Sequence, residues 1–274
     1  MAETSKLTLD TVNTSVFPKL PLHTKAPSGD YDQGAIAYNG GQLQVYNGSD
    51  WQALAEQAPQ YIQTASLVSW LDPTQHLQGA STWGDSISGA SWSVTGTTNK
   101  PNDYQVEPSS GTIYFIDGRQ TAMEVGSGTA TYECWWYMST TNYGTWKYII
   151  GKSSFWDANS AGIYINASGT NIGFHTTNTN GIEYGLSNIS TGWKHLAAVL
   201  ESNGRKLYVN GTLVASDLNR HNQTSTTNLS VGADNEGSYG DSRFKFGHAR
   251  FYNVGLTQSQ IQQHFNAEKG YYGL

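Results

Sequence analysis

Short apolar or alternating runs, separated by turn residues, make up most of the chain. The clearest run is 205–215, in which two alternating stretches meet at Asn210-Gly211. Asn-Gly tolerates the positive φ angles of the tight turn that joins two antiparallel strands. The same dipeptide follows or separates short runs at four other places, 39–40, 47–48, 180–181 and 203–204. The pattern therefore predicts an all-β protein built from antiparallel hairpins.

One segment, close to the end of the chain, has helical rather than strand periodicity. Thr257 and Gln260 have the spacing of a capping box, and Gly270 supplies a stop. Between them, residues with helical spacing are Ile261, His264, Phe265 and Glu268. Since no long helices alternate with the strands, the pattern favours an antiparallel β-sandwich or jelly roll over a parallel α/β fold.

Composition changes along the chain and predicts four segments. Residues 1–28 are polar, contain Pro18, Pro21 and Pro27, and are predicted to form an extended attachment arm. Residues 29–57 contain three short strand-like runs and predict a small β-meander. Residues 58–65 are a linker, and residues 66–274 form the main domain.

The meander is too small to bury a core of its own, yet it carries Tyr38, Tyr46 and Trp51. These rings need a partner surface, which is either the neighbouring domain or further copies of the meander around a symmetry axis. The proline-containing arm before it favours the second interpretation. We therefore expect a homo-oligomer, such as a trimer, with these three residues at its contacts.

Charge and cysteine content exclude several classes of function. Charged residues are 13 % of the chain, against roughly 25 % in typical proteins. A net charge of −6 without a basic run argues against nucleic acid as a partner, and no apolar stretch is long enough to insert into a membrane. The single cysteine, Cys134, excludes an internal disulfide and a cysteine-based zinc site. Residues 1–13 are polar, so we expect no signal peptide and synthesis in a cytoplasm.

Two stretches resemble the laminin-G-like, concanavalin A-like jelly roll. One combines Gly192-Trp-Lys-His-Leu-Ala-Ala-Val-Leu with Gly204-Arg-Lys-Leu-Tyr-Val-Asn-Gly-Thr-Leu-Val. The other combines Leu229-Ser-Val-Gly-Ala with Phe246-Gly-His-Ala-Arg-Phe-Tyr-Asn-Val-Gly-Leu. The resemblance covers about residues 66–274, with 67–72 and 129–138 fitting earlier strands. It implies the fold, which carries lectins, adhesins, glycosidases and purely structural modules alike.

The meander is similar to short units in bacteriophage tail and head fibres and other virion appendages. Those units read Gly-x-Ile-x-Tyr-Asn and Leu-x-Val-Tyr-Asn-Gly-x-x-Trp, which here are Gly34–Asn39 and Leu43–Trp51. The resemblance implies a structural protein of a bacteriophage virion, either a fibre or a capsid-decorating appendage. Residues 1–57 would bind other virion proteins, and the jelly roll would face outward and bind cell-surface glycan.

No motif for catalysis is present, so the sequence predicts that the protein is not an enzyme. Glycosidases of the resembled fold carry Glu-x-Asp-x-x-Glu on one strand, but no Glu-x-Asp occurs in this chain. After Glu133, the corresponding positions hold Trp135 and Met138. Two alternatives stay open: a polysaccharide-degrading glycoside hydrolase with carboxylates on facing strands, and a cement protein that binds no ligand.

The strand around Glu133 offers a candidate carbohydrate site. Strand alternation places Tyr132, Cys134, Trp136 and Met138 on one face, which predicts the core between two sheets. Glu133, Trp135 and Tyr137 share the other face, where rings can stack on sugars and a carboxylate can accept hydrogen bonds from hydroxyls. The alternative is a second layer of packing. Trp156 and Asp157, in a loop, are further candidates, or else form a turn with one buried ring.

A glycine-containing acidic loop suggests calcium. Its oxygen-bearing side chains are Asp234, Asn235, Glu236 and Asp241. Calcium prefers several such ligands, and modules of the resembled family bind it through acidic loops. The alternative is a solvated acidic turn. The seven histidines are scattered without metal-binding spacing, and His195 is predicted to be a core residue.

Overall fold

The computed structural model describes residues 64–118, 120–152, 157, 159–176 and 181–274. In the first 63 residues it describes Ser49 and the backbone of four short strands. The chain divides into two compact units, Met1–Pro59 and Gln60–Leu274.

The N-terminal unit contains one small sheet. Its strands, in spatial order, are β1 (Leu22–His23), β2 (Ile36–Asn39), β3 (Gln42–Tyr46) and β4 (Trp51–Ala53). β2, β3 and β4 pair antiparallel in succession, as predicted for the meander, and β1 adds a parallel strand from the predicted arm. The side chains of Tyr38, Tyr46 and Trp51 lie outside the described residues, as does most of the arm and linker. The predicted oligomer contacts therefore stay a prediction.

The C-terminal unit is an antiparallel β-sandwich, which confirms the predicted fold class. Its strands are β5 (Leu67–Leu71), β6 (Thr82–Gly84), β7 (Ser91–Asn102), β8 (Gln105–Ile116), β9 (Ala130–Met138), β10 (Lys147–Lys152), β11 (Ala161–Ile165), β12 (Asn171–His175), β13 (Gly181–Gly185), β14 (Gly192–Glu201), β15 (Gly204–Val209), β16 (Thr212–Asp217), β17 (Leu229–Val231) and β18 (Phe246–Tyr252). Its α-helix is α1 (Gln258–Glu268). Short 3₁₀ helices cover Pro73–Gln75, Thr121–Met123, Leu186–Asn188 and Lys269–Tyr272.

Two sets of strands form the two layers. The first sheet has the order β5-β18-β9-β14-β15-β16, and the second has the order β13-β12-β11-β10-β17-β8-β7-β6. They are joined at one pair of residues, Val106 of β8 and Phe246 of β18. No helix within the described parts of the chain has the length and apolar character needed to cross a membrane.

The turn and core predictions hold in detail. Of the Asn-Gly pairs, Asn203-Gly204 and Asn210-Gly211 are fully described, and each lies where one antiparallel strand ends and the next begins. At Asn210-Gly211, φ is 50° and 75°, the left-handed geometry that this dipeptide tolerates. The first face predicted for β9, which consists of Tyr132, Cys134, Trp136 and Met138, packs into the main core between the sheets.

Helix α1 begins as predicted and ends differently. Thr257 and Gln260 form the capping box, and Ile261 packs onto the outer face of the first sheet. The helical structure does not end at Gly270. A 3₁₀ turn follows α1 and continues to Tyr272, and Gly273, with φ 73°, ends it. This extension occurs because Tyr272 is buried and stacks on Trp135, with ring centroids 4.1 Å apart.

Candidate functional site

Helix α1 covers most of the carbohydrate groove predicted on β9. Glu133 and Trp135 project from the outer face of the first sheet, and neither has exposed surface. They therefore do not line an open groove, and this prediction is corrected. The physical reason is that α1 uses this sheet face to bury its own side chains. The alternative interpretation, a second layer of packing, describes both residues.

Beneath α1, Glu133 is the centre of a buried polar network. His195 Nε2 lies 2.9 Å from one carboxylate oxygen, and His264 Nδ1 lies 2.8 Å from the other. Arg250 Nη1 donates from 3.1 Å. Burial alone would raise the pKa of Glu133, but the two histidines facing it hold that pKa well below its usual value. The carboxylate is therefore ionised and satisfied inside the protein.

Arg250 extends this network to a second buried carboxylate. Its guanidinium pairs with Glu268 of α1, and Trp135 Nε1 donates to Glu268 Oε2 at 2.7 Å. Burial would raise the pKa of Glu268, but the Arg250 guanidinium holds it below its usual value. The network fixes α1 to the sheet. Its members are too far apart in the sequence for a local pattern to identify them as a set.

Tyr137 is the one member of the predicted set on β9 that stays partly exposed. It lies at the end of the strand, with its ring 5.6 Å from that of Trp193. Lys245 Nζ lies 5.1 Å from the centre of the Tyr137 ring. The structure therefore separates Tyr137 from Glu133 and Trp135, with which it was predicted to form one surface.

The second predicted candidate, Trp156 with Asp157, is described only at Asp157, since Trp156 lies outside the described residues. Asp157 is half-buried, and its carboxylate accepts hydrogen bonds from Ser225 Oγ at 2.6 Å and from the Asn159 amide at 3.1 Å. The bond from Ser225 connects Asp157 to a segment that lies 68 residues further along the chain. A ligand contact here stays a prediction.

The acidic loop does not present its side chains as a calcium site. Asp234 is buried and accepts a hydrogen bond from the Ser238 amide at 2.7 Å. Asp241 is buried and paired with Arg243 at 2.6 Å, while Lys147 lies 3.5 Å away. Asn235 is half-buried and Glu236 exposed. Within the described ranges, no three acidic, histidine or cysteine side chains converge to hold a metal ion. These residues do not fit calcium, because cations and amides already engage the two buried carboxylates.

A polar and aromatic surface lies instead on the outer face of the second sheet. On β11, Ile163 and Ile165 enter the core, so Tyr164 between them projects outward. Strand register places Tyr164 of β11 opposite Gly173 of β12, and Gly173 opposite Glu183 of β13. Because Gly173 carries no side chain, the tyrosine ring can extend across β12 to the Glu183 carboxylate.

The hydrogen bonds at this surface fix one carboxylate. Tyr164 donates its hydroxyl proton to Glu183 Oε1 at 2.9 Å. Asn166 and Asn171 donate to Glu183 Oε2 from 3.0 Å and 2.9 Å. Burial, and then the Glu183 carboxylate, raise the pKa of Tyr164 above its usual value, so its hydroxyl stays a donor. The Trp146 ring lies 5.6 Å from the Tyr164 ring. We call these five residues the Glu183 face.

Accessibility differs among the members of the Glu183 face. Glu183 is exposed, and Trp146, Asn166 and Asn171 are half-buried, whereas Tyr164 is buried and supports the others. The arrangement can accept a hydrogen bond from a ligand hydroxyl, with the Trp146 ring close to Tyr164 as an apolar surface.

Sequence analysis missed this face, although β11, β12 and β13 carry a signal for it. Their isoleucines alternate with a second set of positions that holds Gly, Tyr, His and Glu. That alternation indicates a polar and glycine-rich face on each strand. It does not indicate which strands lie side by side, and so it does not bring the residues of the face together.

We expect Gly173→Ala to destabilise the C-terminal unit by about 1–3 kcal/mol, the usual cost of overpacking. A Cβ atom at this position would lie 2.6 Å from Cζ of Tyr164, whose buried ring has little room to move. Urea unfolding, followed by tryptophan fluorescence, measures the loss. Gly84→Ala is the matched control, since a Cβ there meets no atom within 4 Å. Equal stability of the two variants would contradict the close packing of Tyr164 on Gly173.

Comparison with protein families matches residues 109–262, more than half of the chain, to the concanavalin A-like lectin/glucanases superfamily. The chain belongs to this family, which confirms the resemblance seen in its sequence. Among curated proteins, none matches the chain.

Solved structures share the fold at low sequence identity. The receptor binding domain of botulinum neurotoxin mosaic serotype C/D is 15 % identical with a TM-score of 0.56, over 74 % of this chain and 51 % of that one. Trypanosoma rangeli sialidase in complex with sialic acid is 13 % identical with a TM-score of 0.58, over 87 % of this chain and 44 % of that one. This chain spans about half or less of these relatives, and at such identities the likeness shows the fold alone.

Proposed function

We propose that this protein binds carbohydrate without cleaving it, and that the Glu183 face is the binding surface. The observation that carries this proposal is the carboxylate of Glu183, fixed by Tyr164, Asn166 and Asn171, together with the Trp146 ring, which lies 5.6 Å from the Tyr164 ring. Sugars combine apolar C–H faces, which pack on aromatic rings, with hydroxyls that need placed hydrogen-bonding partners. Membership of a family of lectins and glucanases supports the same ligand class.

The chemistry of the face suits hydroxyl groups. A carboxylate offers about four acceptor sites, and Glu183 uses three of them within the protein. The remaining site can accept from a sugar hydroxyl, and each asparagine amide retains a second N–H. Because Tyr164 and the asparagines already hold the carboxylate in place, binding loses little side-chain freedom.

We further propose that the protein is a structural component of a bacteriophage virion, present as a fibre or capsid-decorating appendage. The similarity of Gly34–Asn39 and Leu43–Trp51 to units of such appendages supports this proposal. The N-terminal unit would oligomerise and attach the chain to other virion proteins, while the C-terminal unit would face the host. Many copies on one particle can raise weak glycan binding by factors of about 10²–10⁴. Locating the chain in a map of the particle tests this assignment.

We expect Trp146→Ala to weaken glycan binding about tenfold, because the ring provides the apolar contact with the sugar. The full-length protein is first screened on an array of neutral and acidic glycans, and the affinity for the best ligand is then measured by calorimetry. Tyr271→Ala is the matched control, since Tyr271 is 49 % exposed and does not belong to the Glu183 face. Circular dichroism verifies that both variants fold.

Three results would contradict the proposal in different ways. Retained affinity in Trp146→Ala removes the Glu183 face as the binding surface. An array on which no glycan binds the wild-type protein removes carbohydrate binding altogether. Release of new reducing ends from a bound polysaccharide shows hydrolysis, and so supports the glycoside hydrolase alternative.

A further inference from the structure

We propose that Glu183 makes this face select neutral sugars and reject anionic ones such as sialic acids and uronic acids. The inference rests on the proposed function of the Glu183 face and names the class of sugar that it takes. It concerns the charge that a ligand meets there.

Among the described residues, no cation is paired with the Glu183 carboxylate. Its three partners, Tyr164, Asn166 and Asn171, are neutral donors. Across the described residues, no lysine, arginine or histidine forms an ion pair with it. Since the side chain is exposed, a bound ligand meets a full negative charge.

Two cations close to the face interact with groups outside it. Arg205, whose charge acts on Tyr164, is buried and bonded to Asp217 through Nε at 3.0 Å and Nη2 at 2.8 Å. Lys147, which follows Trp146, donates to the Gly240 carbonyl at 3.2 Å and lies 3.5 Å from Asp241. Neither supplies a free positive charge for an anionic sugar, and the whole chain carries a net charge of −6.

The expected selectivity follows from Coulomb's law. Two like charges about 4 Å apart in water repel by about 1 kcal/mol, which corresponds to about a fivefold loss of affinity. The repulsion is screened by salt, so the selectivity should shrink as ionic strength rises. The fold likeness to a sialidase in complex with sialic acid therefore does not predict the ligand of this chain.

The test uses full-length protein and three pairs of probes that differ in charge. The pairs are lactose with 3′-sialyllactose, a neutral glucan with a glucuronan, and a galactan with polygalacturonate. For each pair that gives binding, we expect the neutral probe to bind at least fivefold more tightly than the anionic one at 20 mM salt. At 500 mM salt, this ratio of affinities should be smaller. In Glu183→Gln, the preference should fall by about fivefold, because the charge is removed while the amide keeps a similar shape.

Asp103→Asn is the matched control. The Asp103 side chain is 80 % exposed, and the substitution changes the net charge by the same amount at another place. Its preference should equal that of the wild type. The inference is overturned if the wild type binds the anionic probes as tightly as the neutral ones or more tightly. It is also overturned if Asp103→Asn lowers the preference for neutral probes as much as Glu183→Gln does. Both outcomes leave carbohydrate binding intact. Failure of all six probes to bind wild-type protein overturns the proposed function together with this inference.

Discussion

Arg250→Met should lower the free energy of unfolding of the C-terminal unit by about 3–5 kcal/mol, the usual loss when one partner of a buried ion pair is removed. Arg250 is 1 % exposed and bridges Glu133 and Glu268, which are also buried. Without the guanidinium, two carboxylates would face each other in the protein interior. Methionine fills a similar volume, so the loss reports charge rather than a cavity.

Lys206→Met is the matched control for this experiment. Lys206 pairs with Glu201, but both side chains are about one-third exposed, so the expected loss is below about 1 kcal/mol. Urea unfolding at pH 7.5 measures both variants. A loss below about 1 kcal/mol in Arg250→Met would show that water reaches the carboxylates beneath α1, contrary to their burial here.

Acid should destabilise the C-terminal unit in two steps, together by several kcal/mol between pH 7 and pH 4. Burial lowers the pKa of His248 below its ordinary 6.5, and burial with the Lys100 charge lowers that of His76 to about 4. Below pH 6.5 the unfolded chain therefore binds protons that the folded chain does not, and stability falls. Below about pH 4.5 the same holds for Glu133 and Glu268, whose pKa values are lowered in the fold.

The urea midpoint at pH 7.5, 6, 5 and 4 measures this profile. The charged groups that act on His248 are Glu268 of the helix, Arg250 and Glu133 of the sheet, and Asp72. His248→Gln should weaken the decline between pH 6.5 and 5, whereas His221→Gln, at an exposed position, should leave it unchanged. A midpoint that stays constant from pH 7.5 to pH 5 would contradict the neutral state of His248 in the folded protein.

The network beneath α1 also explains why the predicted groove on β9 was wrong. Period-two alternation separated the strand correctly into two faces, and one of them is the core between the sheets. It did not show what covers the other face. Glu133 and His264 are separated by 131 residues, so their contact depends on the packing of α1 and not on any local pattern.

Local sequence patterns were enough to predict several elements of the fold. Alternation predicted the 205–215 hairpin, Asn-Gly pairs predicted hairpin turns, and Thr257 with Gln260 predicted the start of α1, because each depends on residues a few positions apart. Which faces are accessible depends instead on long-range packing. It buried Glu133 and Trp135 under the helix and assembled Tyr164, Asn171 and Glu183 across three strands, because register and layer packing, which no short stretch encodes, set those contacts.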